Sequence, residues 1–159
     1  MSEAKATTVQ EQQQELNDQM LIRREKLAQY EADGVYPFGQ RFVVQQHAAT
    51  IKDHFRDFED QPVTVAGRLM TIRSHGKTAF ANIRDLTGDI QIYLRKDILG
   101  EDDYKHVKML DMGDIVGIEG HVFRTHMGEI TIKVNKLTLL SKSLRPLPEK
   151  WHGLKDTEL

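Results

Sequence analysis

Residues 73–95 read RSHGKTAFANIRDLTGDIQIYLR, and the fold turns on how Gly76-Lys77-Thr78 is read. The triplet has the look of the end of a phosphate-binding loop. Such a loop needs a glycine with four residues between it and the Gly-Lys pair, and position 71 is Thr. It also needs a helix after the lysine, because loop amides and the helix N-terminus bind phosphate together. Residues 79–84 alternate instead: Ala79, Ala81 and Ile83 on one side, Phe80, Asn82 and Arg84 on the other. Period two is the signature of a strand. The reading as a nucleoside triphosphatase fails, and Ser74-His75-Gly76 becomes a turn between two strands.

The same texture extends outward. Five β-like runs cover VTVAGRLMTIR, TAFANIRDL, DIQIYLR, DIVGIEGHVFRT and EITIKVNKLTLL, with further turns at Thr87-Gly88-Asp89 and His126-Met127-Gly128. Between the third and fourth runs, Tyr104, Val107 and Leu110 are spaced for a helix that Gly113 stops. Three meandering strands, a helix and a hairpin give a mainly β (α+β) fold class, a five-stranded Greek-key OB-fold barrel. Upstream, Leu16, Met20, Leu27 and Tyr30 predict an amphipathic helix of about five turns ended by Gly34, with Arg23, Arg24 and Lys26 on its polar side. A second short helix over 48–58 carries Ile51, Phe55 and Phe58 as an apolar stripe. The expected organisation is a disordered tail over 1–14, an N-terminal helical extension over 15–60, the barrel over 61–143 and a linker over 144–159.

Composition bounds the function. The 159 residues are 39% apolar and 29% charged, the size and texture of one ordinary soluble domain. Net charge is −2, so nucleic-acid binding has to rest on local distribution. No cysteine is present, which removes disulfides and thiolate metal sites. No apolar run approaches the 18 or so residues of a membrane span, and the N-terminus is polar rather than leader-like. The seven histidines are scattered without metal-ligand spacing, and no nucleophile–base arrangement stands out.

Strand parity assigns the two faces of the barrel. Ala79, Ala81, Ile83, Ile90, Ile92, Leu94, Ile130, Ile132 and Val134 point inward. Phe80, Asn82, Arg84, Gln91, Tyr93, Arg95, Glu129, Thr131, Lys133 and Asn135 point outward, with Arg73 at the end of the first strand. An outward aromatic among amides and guanidinium groups suits a nucleobase: the ring stacks on its face, an amide bonds its edge, and cations hold phosphate. Packing of the first helix over Phe80 is the competing reading, as is a barrel that docks a protein rather than RNA.

The stretches VAGRLMTIRSHGKTAFANIRDLTGDIQIYLRKD, GDIVGIEGHVFRTHMGEITIKV and LTLLSKSLRPLPEKWHGLKD closely resemble the N-terminal part of bacterial class II lysyl-tRNA synthetases, and LNDQMLIRREKL resembles their first helix. The resemblance runs from Leu16 to Leu159. It implies an anticodon-binding OB domain for tRNA-Lys, whose central anticodon base is uridine. The stacking Phe of that family falls on Phe80, its uridine-reading Gln on Gln91, its anticodon-contacting Glu on Glu129 and its strand-end Arg on Arg73. Arg68, Lys77, Asn82, Arg84, Arg23 and Arg24 are further RNA-contact candidates. The resemblance places ATP and Mg in a catalytic domain that is expected to begin where this sequence ends, and it implies a cytoplasmic parent enzyme with a second subunit. The chain by itself is then expected to have no catalytic residues, no metal site and no cofactor.

Overall fold

The computed structural model describes residues 2–35 and 41–146, with side chains from residue 9. The 144–159 linker lies mostly outside the described residues, as do Trp151 and His152. The elements run α1 (Ser2–Ala32), α2 (Ala48–Asp53), α3 (Phe55–Phe58), β1 (Pro62–His75), β2 (Thr78–Asp85), β3 (Gly88–Arg95), α4 (Lys96–Leu99), α5 (Glu101–Lys108), β4 (Ile115–Arg124) and β5 (Ile130–Ser141). The strands close into a barrel in the order β1-β2-β3-β5-β4. All pairs are antiparallel except β3–β5, which is parallel. This is the five-stranded Greek-key arrangement expected of an OB-fold.

Closure depends on β1, whose 14 residues serve two partners. Its first half, Pro62 to Arg68, pairs with β4, and its second half, Arg68 to His75, pairs with β2. Near the changeover the β1–β2 register slips between Leu69 and Thr71, a bulge that bends the strand. Gly67 precedes it, and a Cβ there would sit 2.8 Å from the Arg84 carbonyl oxygen. A side chain at this position would hold the two backbones apart.

The barrel interior is the alternating apolar set. Ala79, Ala81, Ile83, Ile90, Ile92 and Leu94 are all buried, as are Val63, Val65, Val116, Ile118, Val122 and Ile132. The helical segment between β3 and β4 is two pieces rather than one. Gly100, at φ 89°, ends α4 and begins α5, a left-handed geometry that glycine adopts at no steric cost. Leu99, Tyr104, Val107 and Leu110 from this segment join the core cluster. The predicted 48–58 helix is likewise broken, at His54, with Ile51 buried and Phe55 and Phe58 partly so.

The N-terminal region departs from the expected tail. A helix runs unbroken from Ser2, because no Gly or Pro interrupts it and side chains bridge one turn: Gln13 Nε2 to Asn17 Oδ1 at 3.1 Å and Gln14 Nε2 to Asp18 Oδ1 at 3.0 Å. Arg23 is also a correction, because it is on the packed face of α1, not the solvated one. It is 8% exposed and donates to the carbonyl oxygens of Met112 at 3.1 Å and Ser143 at 3.2 Å. Lys26 pairs with Asp111 at 2.9 Å, and the Tyr30 hydroxyl donates to the His106 carbonyl at 2.7 Å. Burial pushes the Tyr30 hydroxyl pKa far up, with nearby Asp114 and Asp111 adding to it. These contacts fasten α1 to α5 and the loop after it.

Candidate nucleic-acid interface

The strand registers lay the outer face out as two rungs. One rung is Arg73–Phe80–Tyr93–Lys133–His121, each side chain opposite the next across β1, β2, β3, β5 and β4. The neighbouring rung is Thr71–Asn82–Gln91–Thr131–Phe123. Residues directly opposite or diagonal on one face are close enough to touch, so the registers gather what the sequence separates.

Aromatic rings dominate the middle. Phe80 and Tyr93 stack at 4.6 Å between centroids with their planes 26° apart. Tyr93 in turn meets Phe123 at 6.2 Å, tilted by 55°. All three rings are half-buried. The ring neighbour of Phe80 is therefore Tyr93, while the side-chain bonds of α1 run to α5 and its loop. Beside the rings lies a polar row: Asn82 Nδ2 donates to Thr71 Oγ1 at 3.1 Å, and Gln91 Nε2 donates to Thr131 Oγ1 at 3.2 Å. Arg73 and Lys77 are exposed at the β1–β2 end of the face. Glu129 is exposed just before β5, its amide donating to Thr125 Oγ1 at 3.1 Å.

The remaining candidates separate from this group. Arg84 is engaged by Asp89 through two bonds of 2.6 and 3.1 Å, and this pairing raises the pKa of the guanidinium and lowers that of the carboxyl. Arg68 is exposed and opposite Arg84, toward the other end of β1 and β2. Both line a cavity of about 580 Å³ with Val44, Met70 and Leu86. That cavity includes neither Phe80 nor Gln91; the aromatic group is on an open sheet surface instead, the form in which OB barrels present bases a platform. Arg24 is exposed on α1, whereas Arg23 is buried against the loop after α5.

Two residues of the face are not among the site candidates read from the sequence. Phe123 follows inward-facing Val122, so parity alone places it outward. Thr131, placed outward by parity, is fully buried. Parity assigns a side chain to a face and is silent on what covers it there. Among the described residues, no group of three or more His, Asp or Glu side chains could hold a metal ion, and no helix is long and apolar enough to cross a membrane.

Comparison with known proteins bears on this surface. Residues 63–140 match the family of OB-fold nucleic acid binding domains. The chain is 52% identical over 143 residues to the lysine–tRNA ligase of Moorella thermoacetica, covering 90% of this chain and 29% of that ligase. It is 54% identical over 138 residues to the lysine–tRNA ligase of Syntrophomonas wolfei, covering 87% and 28%. Against the ligase of Bacillus cytotoxicus the identity is 48% over 152 residues, covering 91% and 30%. The chain thus spans about three-tenths of the length of the curated relatives it matches, at their N-terminal end.

Proposed function

The chain belongs to the lysine–tRNA ligase family as its N-terminal, anticodon-binding OB-fold region, and from that membership we propose that its outer barrel face recognises the anticodon of a lysine tRNA. The observation that carries this reading is the stacked Phe80–Tyr93 pair set directly beside the Asn82–Gln91 amide row. An unstacked anticodon base has two needs, a π surface and partners for its edge, and the two rungs supply one each. Phe80 stacks the central uridine and Gln91 bonds its edge. Glu129 faces a neighbouring anticodon base, and Arg73 and Lys77 take phosphate or base oxygens at the open end. The mechanism is recognition without bond chemistry. Amino-acid activation with ATP and Mg, and pairing with a second subunit, are assigned to the rest of the parent ligase.

The test is titration of the chain with a lysine-anticodon stem-loop. Phe80→Ala is expected to weaken binding by about 1–3 kcal/mol, the worth of one base–aromatic stack. Affinity should also fall with salt, by about 0.7 log units per log unit of salt for each single-strand phosphate neutralised. Unchanged affinity in Phe80→Ala would sink the site assignment.

A further inference from the structure

Thr131 is fully buried beneath the outer face, between two residues assigned to base recognition. Its hydroxyl has a single proton, and Thr131 Oγ1 donates it to the Glu129 carbonyl oxygen at 3.1 Å. A carbonyl oxygen can only accept, so the direction of that bond is fixed. The Gln91 amide approaches the same hydroxyl oxygen at 3.2 Å. With the proton committed to Glu129, Thr131 Oγ1 can only accept from Gln91, and the amide group facing it has to be the NH2. Amide nitrogen and oxygen are told apart by their partners, and here the partner decides. The opposite amide orientation would reduce Thr131 from two bonds to one and leave a buried hydroxyl less satisfied.

The consequence reaches the open face. With Nε2 held down on Thr131, the Gln91 carbonyl oxygen is the end left for a ligand, accompanied by the second N–H of the amide. We propose that Thr131 is a positioning residue that locks the Gln91 amide with its carbonyl outward, so that this face selects a nucleobase offering an N–H donor at its Watson–Crick ring nitrogen. Uracil and guanine offer that donor. Cytosine and adenine offer a lone pair at the same position, which would meet the Gln91 oxygen in repulsion. The free amide N–H then serves the exocyclic carbonyl beside the ring N–H. This rests on the reading of Phe80 and Gln91 as base-binding residues.

The experiment uses the full chain with two anticodon stem-loops that differ only in carrying uridine or cytidine at the central position. Thr131→Val removes the hydroxyl at nearly constant shape and is expected to reduce the uridine-over-cytidine preference about tenfold. Thr131→Ser restores the hydroxyl and with it the preference. If Thr131→Val keeps the wild-type preference while Gln91→Ala loses it, the positioning role is wrong and the base-binding reading stands. If Gln91→Ala also keeps the preference, the base-binding reading fails and this inference fails with it. A second measurement needs no RNA. In the wild-type chain, nuclear magnetic resonance should show one Gln91 side-chain amide proton exchanging slowly with solvent and close to the Thr131 methyl group, and Thr131→Ser should retain the slow exchange. Fast exchange of both amide protons in the wild type overturns the proposal.

Discussion

Phe80 and Tyr93 form a unit, and a base that stacks on one of them is sensitive to both. The rings lie 4.6 Å apart with their planes 26° apart, so Tyr93 constrains the orientation of Phe80. A pre-oriented ring needs no ordering at the moment of binding, which is where affinity is otherwise lost. Tyr93→Ala should therefore weaken stem-loop binding even if Tyr93 touches no base, and its effect should not add to that of Phe80→Ala. A double-mutant cycle in the titration measures this; strictly additive losses would show that the two rings act separately. Strand parity alone puts Phe80, Gln91 and Tyr93 outward, because the alternation in β2 and β3 is unbroken. The role of Glu129 rests on the family resemblance, since a lone carboxylate at a strand start carries no distinguishing pattern. Thr131 is illegible for another reason: its environment is made by Gln91, forty positions away in sequence.

At the scale of elements, the turns between strands are legible in the sequence and the fastening of helices is not. Glycines at turn positions announce themselves, whereas the partner of a helix end can be any side chain the fold brings near. The N-terminus of α2 is an example. Ala48 N–H donates to Asp85 Oδ2 at 2.8 Å and Ala49 N–H to Thr87 Oγ1 at 3.0 Å, so the β2–β3 turn caps a helix far from it in sequence. The other Asp85 oxygen accepts from the amide and hydroxyl of Thr87, both within 2.7 Å. Burial pushes the Asp85 carboxyl up, but the bonds from Thr87, Ala48 and Gly88 outweigh it and the net pKa is lowered. A carboxyl lowered in the folded state contributes stability above its unfolded value near 3.9 and loses it as pH falls through the folded value. Asp85→Ala should cost about 1 kcal/mol at neutral pH, the usual worth of a helix cap. The deficit should begin to shrink below about pH 4, where the carboxyl of the unfolded chain takes up its proton, and close as the folded carboxyl follows at lower pH. Urea denaturation across that range, with amide exchange at Ala48 and Ala49, measures both; a deficit independent of pH would contradict this account. Arg23, by contrast, is within reach of the sequence. Met20, Arg23 and Leu27 share one helical face by spacing, and only the habit of assigning arginine to solvent puts it elsewhere.

For the whole molecule, the helix, the barrel and the exit of the chain meet at one charged junction. Lys142 directly follows β5, and its ammonium is wholly buried, 2.6 Å from Asp111 Oδ2 and 2.8 Å from Asp114 Oδ2. Lys26 of α1 bonds the other oxygen of Asp111, and Ser143 N–H donates to Asp114 Oδ1 at 2.8 Å. Arg23 closes the group by bonding the carbonyl of Ser143. The direction in which the chain leaves the barrel is therefore set by ion pairs that also hold α1. Burying these charges gives little net stability while they are paired, but removing one partner strands the others. Lys142→Met should cost about 3–5 kcal/mol on that ground. At roughly 2–4 °C per kcal/mol for a chain of this size, the melting midpoint should fall by about 6–20 °C. The pH dependence separates a lost ion pair from poor packing of the new side chain. Burial pushes the Asp111 carboxyl up, yet its bonds to Lys142 and Lys26 outweigh this and leave it lowered. The benefit it gives the wild type is thus present above the unfolded carboxyl value and lost as pH falls through the folded one. In Lys142→Met, protonating the Asp111 carboxylate, left with Lys26 alone, instead relieves a cost. The stability gap between the two proteins should be widest at neutral pH and narrow steadily toward pH 3. A gap that stays constant over that range would mean that the methionine packs badly and that the charges at the junction contribute nothing to holding α1 and the chain exit on the barrel.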